Sequence, residues 1–265
     1  MRCIFSLLIV VTMVSGCSSP ASLPRAPGPA TQTALPAPTD TPEAVIRVLF
    51  LGNSYTYGND MPELFAELAR SGGHDVEVDM LAEGGLRLSD HAQSMETLAR
   101  LTSKRWTFVV LQEQSQIPAL QVYRNREMYP AARQLVSDIR QRGATPLFFL
   151  TWAHRDGWPE QGMDDFESMQ KQITEGYTEI AQELDVPVAP VGSAWLMAVQ
   201  EYPELNLWRD DGSHPRKQGS YLAACVIYAT VFQESPVGLT FQADLSGNVV
   251  KILQNIAANT VLSRP

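Results

Sequence analysis

Three cysteines in 265 residues leave no room for a disulfide framework. Cys3 falls in an N-terminal leader and Cys17 directly after it, so only Cys225, in an apolar helical pattern, lies in the body of the chain. A lone, unpaired thiol commits the fold to its hydrophobic core. Basic residues are scarce as well. Twenty Lys and Arg stand against 29 Asp and Glu, a net charge of −9, and no Lys/Arg cluster interrupts that balance, which argues against nucleic acid as a partner. There are four histidines, and none has companions at metal-ligand spacing. His154 with Asp156 would need further ligands that the sequence does not offer, so no metal is expected. No internal repeat is present, and the apolar run 4–14 is too short to span a bilayer as a helix.

That run, preceded by Arg2, has the proportions of a secretory signal core. It ends in Val14-Ser15-Gly16-Cys17, which resembles the lipobox of bacterial lipoproteins. The resemblance implies removal of residues 1–16 and diacylation (palmitate) of Cys17. Residues 17–43 are Pro, Ala, Thr and Ser with almost no large apolar side chain, so they bury too little surface to order themselves and read as an extended tether. The expected location is the bacterial cell envelope, lipid-anchored and facing outside the cytoplasm, at the outer membrane if the host is Gram-negative. Residues 44–265 have a length that suits one α/β domain.

Within that domain short apolar runs alternate with amphipathic stretches. Strands are expected at 46–51, 76–81, 107–112, 146–151 and 186–191, and helices at 61–70, 88–101, 124–142, 165–184, 218–232 and 245–262. Strands buried on both faces and separated by helices predict a three-layer α/β/α sandwich around a mostly parallel five-stranded sheet, flavodoxin-like in type. Ligands bind such sheets outside the carboxyl ends of the strands. Ser54 follows the first strand, Gly84-Gly85 the second, Gln112 to Gln114 the third and Trp152 the fourth, so all of them share one rim.

A serine hydroxyl becomes a nucleophile when a base takes its proton, and the base works best when a carboxylate fixes its tautomer. Gly52-Asn53-Ser54 at the end of the first strand and Asp211-Gly212-Ser213-His214-Pro215 near the C-terminus supply all three groups. Asp211 and His214 are close enough in sequence to meet within one loop. Only the approach to Ser54 depends on the fold.

These blocks, in this order along the whole domain, resemble the SGNH (GDSL-type) hydrolase superfamily. The resemblance implies ester hydrolysis with Ser54 as nucleophile, His214 as base and Asp211 as its orienting acid, and no cofactor. It places an oxyanion hole at the backbone of Ser54, the N–H of Gly85 and a side-chain amide after the third strand. Two departures stand out: Asn53 replaces the usual Asp, and Gln112-Glu113-Gln114 stands where Gly-x-Asn is expected. Strand parity puts Gln112 and Gln114 on one side. Alignment with the family block favours Gln114, with Gln112 as the alternative.

Trp152 and His154 on the rim are candidate substrate-binding residues, with Trp158 as a second aromatic wall, whereas His74 and His91 read as solvated surface residues. Exported and lipid-tethered, such an enzyme is expected to take a small-molecule or polysaccharide ester, a carbohydrate acetyl ester first. A lipase- or thioesterase-type hydrolase of the same family is the alternative, as is a non-catalytic carbohydrate- or nucleotide-binding flavodoxin-like module, since the glycine turn after the first strand also suits a phosphate.

Overall fold

The computed structural model describes residues 45–263. The expected signal peptide 1–16, the lipidated Cys17 and the tether 17–43 lie outside the described residues. In chain order the elements are β1 (Ile46–Gly52), α1 (Ser54–Tyr57), α2 (Met61–Ser71), β2 (Val76–Ala82), α3 (Leu88–Gln93), α4 (Met95–Thr102) and β3 (Phe108–Leu111). They continue as α5 (Gln121–Tyr123), α6 (Tyr129–Gln141), β4 (Thr145–Phe149), α7 (Phe166–Leu184), β5 (Val188–Ala189), α8 (Val191–Glu201), α9 (Lys217–Phe232) and α10 (Gly247–Leu262).

The strands form one five-stranded sheet in the order β2-β1-β3-β4-β5, and every pair is parallel. The central strands are apolar because both faces are covered: Val48 to Leu51 and Val109 to Leu111 have essentially no exposed surface. On one face α2 packs against α9, and α9 against α8 and α10; on the other α3 packs on α6 and α6 on α7. Helix α9 is apolar around most of its circumference, as a helix enclosed on several sides must be. The chain leaves β1 toward β2 and then crosses back to β3 on β1's other side. That reversal opens a crevice at the carboxyl ends of β1 and β3, the usual ligand position in such a sheet.

Several boundaries differ from expectation for identifiable reasons. The expected helix 88–101 is broken at Ser94, whose extended backbone ends α3 and whose hydroxyl accepts from Thr97 N–H (3.3 Å) to start α4. The helix expected at 124–142 begins with a π-helical turn, Arg124–Met128, before α6. The last strand shrinks to Val188–Ala189 because Val191 already opens α8, a helix the sequence reading did not anticipate. That first turn is secured to the sheet by Gly192 N–H on the Leu150 carbonyl (2.9 Å). Among the described residues no helix is long and apolar enough to cross a membrane.

Candidate active site

Ser54 opens α1 directly after β1. Asn53 caps that helix through Oδ1, which accepts from Tyr55 N–H (3.1 Å), while its Nδ2 donates to the Leu86 carbonyl (2.8 Å). An aspartate could cap equally well but has no N–H to give Leu86, so the Asn variant links the Ser54 turn to the loop after β2. From the other side Gln112 Oε1 accepts from Asn53 N–H and from Thr56 Oγ1, both at 2.9 Å. Gly52 is required for this: a Cβ there would sit 2.2 Å from Thr56 Oγ1 and 2.6 Å from Gln112 Oε1.

The second segment is a tight loop before α9. Asp211 Oδ1 accepts from Ser213 and His214 N–H at 2.9 Å each, and Oδ2 lies 2.9 Å from His214 Nδ1. Partial burial alone would raise the Asp211 pKa, but the Ser213 and His214 N–H bonds and the imidazole outweigh it and hold the carboxyl down at about 2. His214 Nε2 lies 2.9 Å from Ser54 Oγ. Asn59, in the left-handed backbone region that Asn tolerates (φ 54°), joins the two segments by donating to the Pro215 carbonyl (3.1 Å) and to Ser220 Oγ (2.8 Å).

An aromatic stack lies beneath the loop. Tyr55 stacks on Trp152 (4.4 Å), Trp152 on Trp195 (4.2 Å), and Trp208 meets Trp195 edge-on. Tyr55 Oη and Ser213 Oγ share a hydrogen bond of 2.7 Å, and Trp152 Nε1 donates to the Ser213 carbonyl (3.0 Å). The rings therefore fix the height of the residue next to His214.

Beside Ser54 and His214 opens a cleft of about 390 Å³. Gly85 lines it with φ +78°, in the region that favours glycine, and a Cβ there would meet nothing within 4 Å. Among the described residues neither Ser54 N–H nor Gly85 N–H has an acceptor. Gln114 also lines the cleft. Its Oε1 accepts from Gln116 and Ile117 N–H (2.8 and 3.3 Å), which turns Nε2 toward Ser115 Oγ (3.3 Å) and leaves its second N–H unengaged. His154 Nε2 lies 3.1 Å from Ser115 Oγ at the cleft, and burial, followed by the neighbouring His214, lowers its pKa.

Four expectations need correction. Trp152 does not line the cleft: it is fully buried, covered on both faces by Tyr55 and Trp195. Trp158 is engaged in a bridge with Met163 and is likewise absent from the lining. His91 is not a surface residue; it is 2% exposed, with Nε2 donating to the Gly52 carbonyl (2.9 Å) and Nδ1 3.2 Å from Thr97 Oγ1. His74 is largely covered too, stacked on Phe232 at 3.9 Å with Nε2 3.1 Å from Glu234. Gln112 proves to be a brace buried under the Ser54 turn. The supporting roles of Tyr55, Asn59 and Ser213 escaped the sequence reading, and Gln112 was read there as a possible donor instead of a brace, because each acts through a partner far away in the chain. Of the two described tyrosines that line the cleft, Tyr55 is buried and Tyr57 is 41% exposed.

No model of a known protein family matches the chain, and no curated protein matches it. Solved structures do. The protein is similar to an assigned SGNH hydrolase from Slackia heliotrinireducens, with 31% identity and a TM-score of 0.61 over 71% of this chain and 99% of that one. A DUF4886 family protein from Bacteroides uniformis has the same fold at 19% identity and a TM-score of 0.72, over 82% of this chain and 95% of the other. An acetyl xylan esterase does so at 16% identity and a TM-score of 0.58, over 70% of this chain and 100% of the other. The chain belongs to the SGNH hydrolase family, a family of ester-bond hydrolases. That membership favours the enzyme over a flavodoxin-like binding module.

Proposed function

We propose that the protein is a serine esterase that removes a small acyl group, an acetyl ester of a carbohydrate first, by acyl transfer through Ser54. The observation that carries this reading is the unbroken line from Asp211 to His214 to Ser54, 2.9 Å at each step, beside two unengaged N–H groups. An ionised Asp211 can only accept, so Nδ1 of His214 carries the proton and the Nε2 lone pair faces Ser54 Oγ. His214 takes the hydroxyl proton as Oγ attacks the ester carbonyl. The resulting oxyanion falls to Ser54 N–H, Gly85 N–H and the Gln114 amide. His214 then protonates the departing alcohol and takes a proton from water, which hydrolyses the acyl-Ser54 ester. No step calls for a cofactor.

The cleft supports the substrate class. Among the described residues lining it there is no Leu, Ile, Val, Met or Phe, so a long acyl chain would forgo about 0.8 kcal/mol per CH₂ left in water. Ser115, Gln116 and His154 suit a polyhydroxylated alcohol, and the open face of Tyr57 suits a sugar ring. The likeness to an acetyl xylan esterase agrees with this choice, and the lining disfavours the lipase alternative. A series of aryl esters tests it: kcat/KM for the acetate should exceed that for the octanoate by about tenfold or more, and a preference for the octanoate would contradict the reading. The lipid anchor at Cys17 and the envelope location belong to the same proposal. Fatty-acid analogue labelling should disappear in Cys17→Ser, and persistent labelling would refute the anchor.

A further inference from the structure

Glu113 is buried in the middle of the site's supports, yet the mechanism makes no use of it. It is 0% exposed and does not line the cleft. Its Oε1 accepts two backbone N–H groups from different loops, Leu88 at 3.1 Å and Gln114 at 2.7 Å. Leu88 ends the loop that carries Gly85, and Gln114 carries the amide that reaches the cleft. The backbone of Glu113 is itself anchored from α7, its N–H donating to Tyr177 Oη (3.0 Å). Its Oε2 is buried with no partner among the described residues.

We infer that Glu113 is a positioning residue: its Oε1 sets the spacing between the Gly85 loop and the Gln114 loop, and so between two of the three donors that receive the oxyanion. This rests on the esterase reading above. Asn53 and Gln112 complete the circuit. Asn53 ties the nucleophile turn to the Gly85 loop through Leu86, and Gln112 ties it to the end of β3. Three strand-end loops are thereby joined by three polar side chains, all at most 2% exposed. Gln112 stands at the Gly of the expected Gly-x-Asn and Glu113 at its unrestricted middle position, so the block supplies a frame as well as a donor.

The frame is sensitive to charge. Burial pushes the Glu113 carboxyl up to about 8, against the pull of the Gln114 and Leu88 N–H bonds. The charge of Glu127 pushes the same way and that of Arg87 opposes it, while Tyr177, facing it from α7, is held neutral by its own burial. Near neutral pH the acid is therefore protonated. Ionised, it would place a negative charge below the corner where the oxyanion forms, opposing the transition state.

The test compares Glu113→Gln and Glu113→Met with the wild-type full chain, following aryl acetate hydrolysis from about pH 6 to about pH 10 alongside thermal unfolding. Glu113→Gln keeps an oxygen for both N–H groups and cannot ionise. Its kcat at neutral pH should stay within about threefold of wild type, and the wild-type decline above about pH 8 should vanish. Glu113→Met keeps the volume without an acceptor, so kcat should fall by about 10²-fold with KM changed less than about twofold. A folded Glu113→Met of wild-type kcat would overturn the inference, as would an alkaline decline shared by wild type and Glu113→Gln. If Glu113→Met does not fold, the pH comparison alone decides. A Ser54→Ala control separates the two levels: activity surviving there refutes the esterase reading itself, whatever Glu113 does.

Discussion

Asn53, Gln112 and Glu113, which hold the Ser54 side of the site, are at most 2% exposed, whereas the Asp211 and His214 side chains on the other side are 48% and 40% exposed. The buried side is assembled from the ends of three strands, by hydrogen bonds spanning 25 to 59 residues. The exposed side is assembled within one loop, by bonds between residues two or three apart. One half depends on the register of the sheet and the other on local turn chemistry plus an aromatic floor. The halves should therefore fail differently: the loop should lose chemistry while keeping stability, and the frame should lose both.

The largest effect lies where the two halves meet. Ser54→Ala and His214→Ala should each lower kcat by about 10³-fold or more, and the double variant should be little worse than either, because nucleophile and base act as a unit. Asp211→Asn keeps an oxygen for the Ser213 and His214 N–H groups but imposes the wrong imidazole tautomer. It should cost about 10²-fold or more in kcat with little change in melting temperature. Unfolding of that variant would show the loop to be less self-contained than its bonds suggest.

The two glutamines sharpen the comparison at intermediate size. Gln114→Ala should lower kcat by about 10²- to 10³-fold with KM and stability nearly unchanged, since its amide meets charge that exists only in the transition state. Gln112→Ala strands buried donors on Asn53 and Thr56, so it should destabilise the fold by about 1–3 kcal/mol. Steady-state kinetics paired with chemical denaturation distinguishes them, and equal stability losses would erase the difference between frame and donor.

A dependence of stability on pH completes the comparison. Glu113 titrates near its ordinary range in the unfolded chain but at about 8 in the folded protein. Between those values the folded state binds the extra proton, so stability should fall as pH rises from about 5 to about 8, by at most about 1.4 kcal/mol per pH unit from this group. Above the folded value the contribution should level off. Glu113→Gln should flatten that slope in denaturation curves, and an unchanged slope would assign the proton elsewhere.

Legibility in the sequence followed the same division. Asp211-x-x-His214 could be read directly because its bonds are local, and Gly52-Asn53-Ser54 because a strand end is visible in the apolar pattern. The parallel sheet was legible from alternation alone. Gln112 and Gln114 could not be told apart by parity because β3 stops at Leu111, after which side-chain alternation no longer applies. Trp152 was misjudged because a place at the rim does not reveal that Tyr55 and Trp195 cover both faces of the ring. His91 was misjudged because its partners, Gly52 and Thr97, are apparent only once α3 is docked on β1.

The central claim is that Ser54, activated by His214, is the nucleophile. Incubating the protein with a fluorophosphonate probe and mapping the modified peptide tests it most directly. The account predicts a single adduct on Ser54, lost in Ser54→Ala and strongly slowed in His214→Ala. An adduct on Ser115 or Ser213 instead, or labelling of Ser54 that proceeds at the wild-type rate without His214, would contradict it.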